Sequence, residues 1–251
     1  MKVYLTNLNE SWIVDRLRHE WYQHNSSIST ESIKEADIVW IVAPWLWKNI
    51  KKKYLRDKKV VCSIYHIEEK DFEQKQIKEF NKRDSFVDLY HVISLKTKKE
   101  LEKLTDKEII YIPFWSDQNT WFKIDDKDNL RNKYGLPLDA YIIGSFQRDT
   151  EGSDLKSPKL IKGPDRLIQI IESKNKEINK VFILLSGKRR QYVIKELENL
   201  NIDYKYFEMV NTDQLNELYN CLDLYIVASR VEGGPQAIIE CALSKTPIIS
   251  T

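Results

Sequence analysis

The sequence predicts an α/β protein of two domains, each a parallel β-sheet covered by helices. Three observations carry this. Short apolar, β-branched runs such as Lys59–Tyr65 and Lys180–Ser186 show no polar alternation, the pattern of strands buried on both faces. Segments of helical period separate them. Residue usage also splits the chain: all seven tryptophans lie within the first 121 residues, and all seven glycines lie from 135 onward. A length of 251 residues accommodates two domains at roughly 100–200 residues each. The expected division is 1–120 and 121–251, two Rossmann-like domains, the second incomplete at its C-terminal end.

In the first half, Lys2–Thr6 reads as a strand. Glu10–His24 carries apolar residues at Trp12, Ile13, Leu17, Trp21 and Tyr22, a helical period. Asp37–Val42 is a strand closed by Pro44, Ile50–Asp57 a basic helix, and Lys59–Tyr65 a strand. Asp71–Asp84 is a charged helix and Leu89–Ile93 a strand. Ser94 caps a helix over Leu95–Thr105. Glu108–Ile112 is a strand closed by Pro113.

The second half repeats the rhythm. Strands are expected at Ala140–Phe146, Lys180–Ser186, Asp203–Glu208, Leu222–Ala228 and from Thr246 to Ser250. Between them come helices at Gly163–Ser173, opened by Pro164, and at Arg189–Leu200, Thr212–Cys221 and Pro235–Ser244. Thr212 is the expected cap of its helix. The chain ends in or just after a strand, so a truncated domain is expected.

Composition narrows the function. Lysine plus arginine is 40 against 38 aspartate plus glutamate, a net charge of +2, which argues against a dedicated nucleic-acid binder. No apolar run approaches the roughly 18 residues of a membrane span. The N-terminus MKVYLTNLNE lacks the apolar core of a signal peptide. Cys62, Cys221 and Cys241 are far apart and in no C-x-x-C spacing, so buried free thiols in a reducing cytoplasm are expected. No metal-binding cluster, P-loop or G-x-G-x-x-G is present.

Ligands of such sheets bind beyond the carboxyl ends of the strands, so the loops after strands are where chemistry is expected. The most specific segment is Glu232-Gly-Gly-Pro-Gln-Ala-Ile-Ile-Glu240. Gly233 and Gly234 let the backbone approach a ligand, and Pro235 is expected to set the first helical turn. The free N–H groups of the helix start suit phosphate. Glu232 and Glu240 are spaced to return to one helix face and could grip a sugar and a ribose. The competing reading is an acidic helix start with Glu240 solvated. Arg148 and Lys162 flank the loop after Ala140–Phe146 and could neutralise a diphosphate, with Lys156 and Lys159 as competitors. Two solvated basic residues are an equal alternative.

His66 follows a strand and is placed to touch a substrate, with Glu68, Glu69 and Asp71 beside it. A structural histidine is the alternative. His19 and His24 read as surface residues and His91 as core. Trp45 and Trp47 offer a stacking platform or, more simply, packing. Lys51–Lys53 suit either a solvated helix face or weak contact with an anionic membrane surface.

Val227–Glu240 resembles the E-x7-E signature of retaining glycosyltransferases of family 4, which have the GT-B fold. Tyr141–Leu167 resembles the first strand and basic loop of that family's donor domain, and Leu89–Phe122 its approach to the interdomain linker. The likeness spans roughly 59–251. It implies that Glu232 binds donor-sugar hydroxyls and that Gly233, Gly234 and Pro235 present backbone N–H groups. It further implies that Glu240 binds the nucleotide ribose, that Arg148 and Lys162 hold the diphosphate, and that His66 lines the acceptor side. The loop Asn7–Glu10 departs from the family's glycine-rich loop, and the Arg148–Lys162 spacing is longer than usual.

The resemblance implies transfer of a sugar from a nucleotide diphosphate sugar to a hydroxyl acceptor. Retention, no cofactor and no metal are expected. The partners would be a nucleotide-sugar donor and a sugar, glycan or glycolipid acceptor, as in polysaccharide biosynthesis. The location would be cytoplasmic, with weak peripheral contact at the inner membrane face as an option. A nucleotide-sugar epimerase on the same fold and a non-catalytic sugar-nucleotide binding fragment stay open as alternatives.

Overall fold

Apolar runs of strand length, each followed by a polar-faced helix, produce two parallel sheets in the computed structural model. It describes residues 1–7, 13–68 and 72–250. Asn7 is therefore described, while Leu8, Asn9, Glu10 and Trp12 of the first loop and helix lie outside the described residues, as do Glu69 and Asp71. The chain divides into Met1–Trp115 and Ser116–Thr251.

In the first unit the elements run β1 (Val3–Leu5), α1 (Ile13–His24), β2 (Ile38–Ile41), α2 (Lys52–Asp57), β3 (Lys59–Ile64), α3 (Gln74–Asp84), β4 (Leu89–Val92), α4 (Leu95–Leu101) and β5 (Glu108–Tyr111). The strands pair in simple sequential order, β1 to β5, all parallel. Their side chains are buried because helices cover the sheet: Leu5, Val39, Ile41, Val60 and Val92 are among the fully buried residues. Ser94 caps α4 as expected, accepting from Thr97 N–H. Pro44 opens a 3₁₀ turn over Pro44–Asn49 in which Trp47 is buried against Phe86, whereas Trp45 is exposed. The packing reading therefore holds for Trp47.

Trp40, Ser63 and His91 of this core are joined in one relay. Trp40 Nε1 donates to Ser63 Oγ at 2.9 Å, and Ser63 Oγ lies 2.9 Å from His91 Nδ1. His91 Nε2 lies 2.9 Å from the Ile112 carbonyl. A carbonyl only accepts, so Nε2 carries a proton, and the neutral ring then accepts at Nδ1 from Ser63 Oγ. Burial favours that form and lowers the His91 pKa. His91 is thus a core residue, and His19 and His24 are exposed.

The second unit runs α5 (Lys127–Lys133), β6 (Tyr141–Ser145), α6 (Pro164–Glu177), β7 (Val181–Ser186), α7 (Gln191–Asn199), β8 (Tyr204–Phe207), α8 (Thr212–Asn220), β9 (Leu224–Val227), α9 (Gln236–Ser244) and β10 (Ile248–Ser250). Its strand order is β10-β9-β6-β7-β8. The order reverses between β6 and β9, the topological switch point at which open α/β sheets leave a crevice. Trp121 belongs to this unit's core, 1% exposed and edge-on to Tyr219.

Sequence pattern does not reveal α5, a short polar helix capped by Asp126. It clamps the amino ends of the two strands that flank the switch point. Arg131 and Lys127 each donate to Asp223 at 2.6 Å, and Asp223 also accepts from Ile142 N–H at 2.7 Å. One carboxylate thus joins α5, β6 and the approach to β9. Asn211, not Thr212, caps α8, forming a capping box with Gln214. Cys62, Cys221 and Cys241 are free and buried. Among the described residues no helix is long and apolar enough to cross a membrane.

Candidate functional site

The two loops that leave β6 and β9 at the switch point meet through a hydrogen-bonded cluster. Lys162 Nζ donates to Glu232 Oε1 at 2.5 Å. Ser229 Oγ lies 2.8 Å from the same oxygen and 3.3 Å from Gln147 Oε1. Gln147 Nε2 donates to the Lys162 carbonyl at 3.0 Å. Lys162 and Glu232 are each only half-buried. The pair is therefore reachable by a ligand yet held by neighbours.

Lys162 owes its place to local backbone chemistry. It ends a 3₁₀ turn, and Gly163 after it adopts φ +62°, ψ +40° as the N-cap of α6. Pro164 then occupies the first helical turn as expected. A Cβ at Gly163 would stand 1.8 Å from the Ala228 carbonyl oxygen, so the turn packs directly on the end of β9. Arg230 fastens the same turn from the other side. It donates to both carboxylate oxygens of Asp165, at 2.7 and 2.5 Å, and to the Leu160 carbonyl at 2.7 Å. The Arg230 hydrogen bonds hold the Asp165 carboxyl below its usual range.

Two sequence expectations about the glycine turn are corrected. Pro235 is not in the helix: it is the N-cap, with ψ 127°, and α9 starts at Gln236. Glu232 therefore precedes the helix, and the helical spacing that would put it on one face with Glu240 does not apply. Glu240 is also not solvated. It is 3% exposed, and Tyr219 Oη donates to its Oε2 at 2.7 Å. Tyr219 sits among Phe146, Tyr225 and Trp121, with ring centroids 5.0–5.9 Å away. The turn residues Gly233 and Gly234 are half-buried. The start of α9 has no side-chain cap, leaving its first N–H groups available to an anion.

Arg148 lies in the loop after β6 but is not part of the Lys162–Glu232 cluster. It is exposed, and its Nε donates to the Thr150 carbonyl at 2.8 Å. Burial first, and then Arg189, lower its pKa. Beneath this loop lies a pair that sequence reading missed. Arg190 and Asp149 are 3.1 Å apart with side chains 0% and 3% exposed. Burial pushes the Asp149 carboxyl up, against the pull of Arg190. Thr150 Oγ1 donates to Asp149 and accepts from Tyr192 N–H, which ties the loop to the start of α7.

In the first unit His66 follows β3, exposed, with Nε2 3.4 Å from Glu68 Oε1. It lines a cavity of about 290 Å³. Lys51, Lys52 and Lys53 are solvent-exposed. Lys156 is exposed as well, 3.1 Å by its N–H from Asp154.

Comparisons with known proteins agree with this architecture. Residues 155–251 match the family model described as "Glycosyl transferases group 1". No curated protein matches the chain. Among solved structures, the sucrose-phosphate synthase of Thermosynechococcus elongatus superposes with a TM-score of 0.67 at 13% identity, covering 98% of this chain and 62% of that one. HepE of Anabaena in complex with UDP-glucose gives 0.69 at 14%, covering 99% and 79%. WaaG, a glycosyltransferase involved in lipopolysaccharide biosynthesis, gives 0.68 at 12%, covering 100% and 80%. The fold is that of GT-B glycosyltransferases. The chain spans 62% of the length of the synthase it resembles.

Proposed function

We propose that the protein is a glycosyltransferase that moves a sugar from a nucleotide diphosphate sugar to a hydroxyl acceptor. The observation that carries this is the pairing of Lys162 with Glu232 where the loops of β6 and β9 meet, beside the free start of α9. The match of residues 155–251 to the group 1 glycosyltransferase model supports it.

In this reading the ion pair is the resting arrangement. A donor sugar brings hydroxyls, which donate to Glu232, and a diphosphate, which accepts from Lys162. Each partner then exchanges one charged or polar contact for another. As the anomeric C–O bond breaks, its electron pair moves onto the phosphate oxygen. Charge grows there, and Lys162, the α9 N–H groups and Arg148 are the groups available to stabilise it. The acceptor hydroxyl oxygen forms the new bond to the anomeric carbon, and its proton passes to the departing phosphate oxygen.

Glu240 is the residue proposed to meet the ribose, its carboxylate held in place by Tyr219 Oη. Retention is proposed because Glu232–Glu240 resembles the signature of retaining enzymes, and independence of metal because Lys162 and the uncapped start of α9 could themselves meet the charge of a diphosphate. His66 is proposed for the acceptor side. The acceptor class, a glycan or glycolipid, follows from the same resemblance; a cytoplasmic location is proposed from the three free thiols, and weak contact with the inner membrane face from the exposed Lys51–Lys53 run.

The test is thermal unfolding of the chain with UDP, GDP, ADP or CDP in the presence of EDTA, followed by transfer assays with the matching sugar donors. A nucleotide at 100 times its Kd stabilises by about 2.7 kcal/mol. One nucleotide should raise the Tm, and Lys162→Ala should lower turnover about a hundredfold while keeping the fold. Unchanged turnover in that variant rejects the role of Lys162. No response to any nucleotide rejects the donor site.

A further inference from the structure

The first unit holds a cavity of about 290 Å³, close to the lower end of small-molecule sites at roughly 300 Å³. It begins at Ile64, His66 and Ile67, at and just past the carboxyl end of β3, and at Pro44, past the end of β2. That is the end of the sheet at which α/β proteins bind ligands. Ile67, Phe80, Leu101 and Leu104 make an apolar surface. The polar wall comes from α3, through Lys75, Gln76, Glu79 and Arg83.

The charges on this wall do not cancel. Glu79 and Arg83 are one helical turn apart, the spacing at which they would pair. Glu79 is instead paired with Lys48. Arg83 has no ion pair among the described residues, and its guanidinium lies 5.0 Å from the Phe80 ring centroid. Its Nε is buried without a hydrogen-bond acceptor. Gln76 Oε1, also buried, has no donor. Arg83 and Gln76 thus both line the cavity, and each carries a polar atom left unsatisfied at the cost of an unmade hydrogen bond.

We infer that this cavity binds a small amphipathic anion bearing a hydroxyl group. The anion accepts from Arg83, the hydroxyl donates to Gln76, and the apolar body lies on Phe80, Leu101 and Leu104. The arrangement uses residues of the first unit alone and does not depend on the donor reading.

Binding of three matched probes to the full chain tests this, by titration calorimetry or ligand-observed NMR: 2-hydroxyhexanoate, hexanoate and 1,2-hexanediol. The hydroxy acid should bind at least tenfold more tightly than the uncharged diol, since a hydrogen bond to a charged group contributes well above that of a neutral one. It should bind several-fold more tightly than hexanoate. Arg83→Met, which keeps length and apolar contact, should abolish the preference over the diol. Gln76→Met should abolish the preference over hexanoate. Equal binding of acid and diol by the unmodified protein overturns the inference, whether or not the variants fold. So does an anion preference that survives Arg83→Met, or the absence of saturable binding by all three probes. Equal binding of hydroxy acid and hexanoate overturns the role given to Gln76.

Discussion

Gly163→Ala should separate the backbone that holds Lys162 from every other part of the second unit. The native φ of +62° lies in the left-handed region, which costs a non-glycine residue about 1 kcal/mol. Crowding costs more than the dihedral does. The new Cβ would be 1.8 Å from the Ala228 carbonyl oxygen, a backbone atom that no rotamer change can move. Ordinary contact needs the turn and the end of β9 to part by more than an ångström. Lys162 stands one residue before the glycine, and Glu232 four residues beyond Ala228, so the gap opens between the two partners.

A displacement of about 1 Å at a reacting site costs roughly a hundredfold in rate. The expected result is a Tm lowered by several degrees and turnover lowered about a hundredfold. Gly152→Ala is the internal control. It carries the same kind of penalty, at φ +76°, but its Cβ meets only the end of the Asp154 side chain at 3.1 Å. It should lose about 1 kcal/mol of stability and keep nucleotide binding. If Gly163→Ala matches Gly152→Ala in both Tm and nucleotide affinity, the contact with Ala228 does not position Lys162.

Three further outcomes follow from buried groups. Arg190→Met leaves Asp149 in the interior without its cation and should cost about 3–5 kcal/mol in urea unfolding; a loss under about 1 kcal/mol would mean that Asp149 is carried by its other partners. Tyr219→Phe removes a hydroxyl donor from buried Glu240 and should cost about 1–3 kcal/mol, with weaker nucleotide affinity; unaltered affinity would detach Glu240 from the ribose. The His91 pKa is lowered in the fold, so the unfolded chain binds the proton first as pH falls. Stability should therefore fall once pH drops through about 6.5, the unfolded value, and continue to fall until the lower folded value is passed. An NMR titration of His91 centred at or above about 6.5 would contradict this.

The elements were legible where the physics is local. Leu222–Ala228 and Lys180–Ser186 announce buried strands because both faces are apolar, and Ser94 and Pro164 mark helix starts by their own chemistry. The polar helix α5 has one apolar residue, Leu130, too little to form a stripe, and is held by the burial of Leu130 and by Asp223, far along the chain. The glycine turn shows the same boundary. That Glu232 and Lys162 are both special could be read from residue type and loop position. That Glu232 sits outside the helix depends on the extended backbone of Pro235. The burial of Glu240 depends on Tyr219, and the bridge through Gln147 and Ser229 joins loops that only the sheet brings together.

The two strand orders also set different tasks for the folding chain. Each strand of the first sheet adds beside the one made just before it, so every pairing closes a short stretch of sequence. The second sheet joins Ile143 to Leu224, with β7 and β8 formed in between on the other side of β6. Closing that long interval carries the larger entropy cost and slows folding. The Lys162–Glu232 pair straddles this closure. It therefore comes into being only with the pairing of β6 and β9, and slow steps in refolding should be read out by recovery of nucleotide binding rather than by recovery of helix signal.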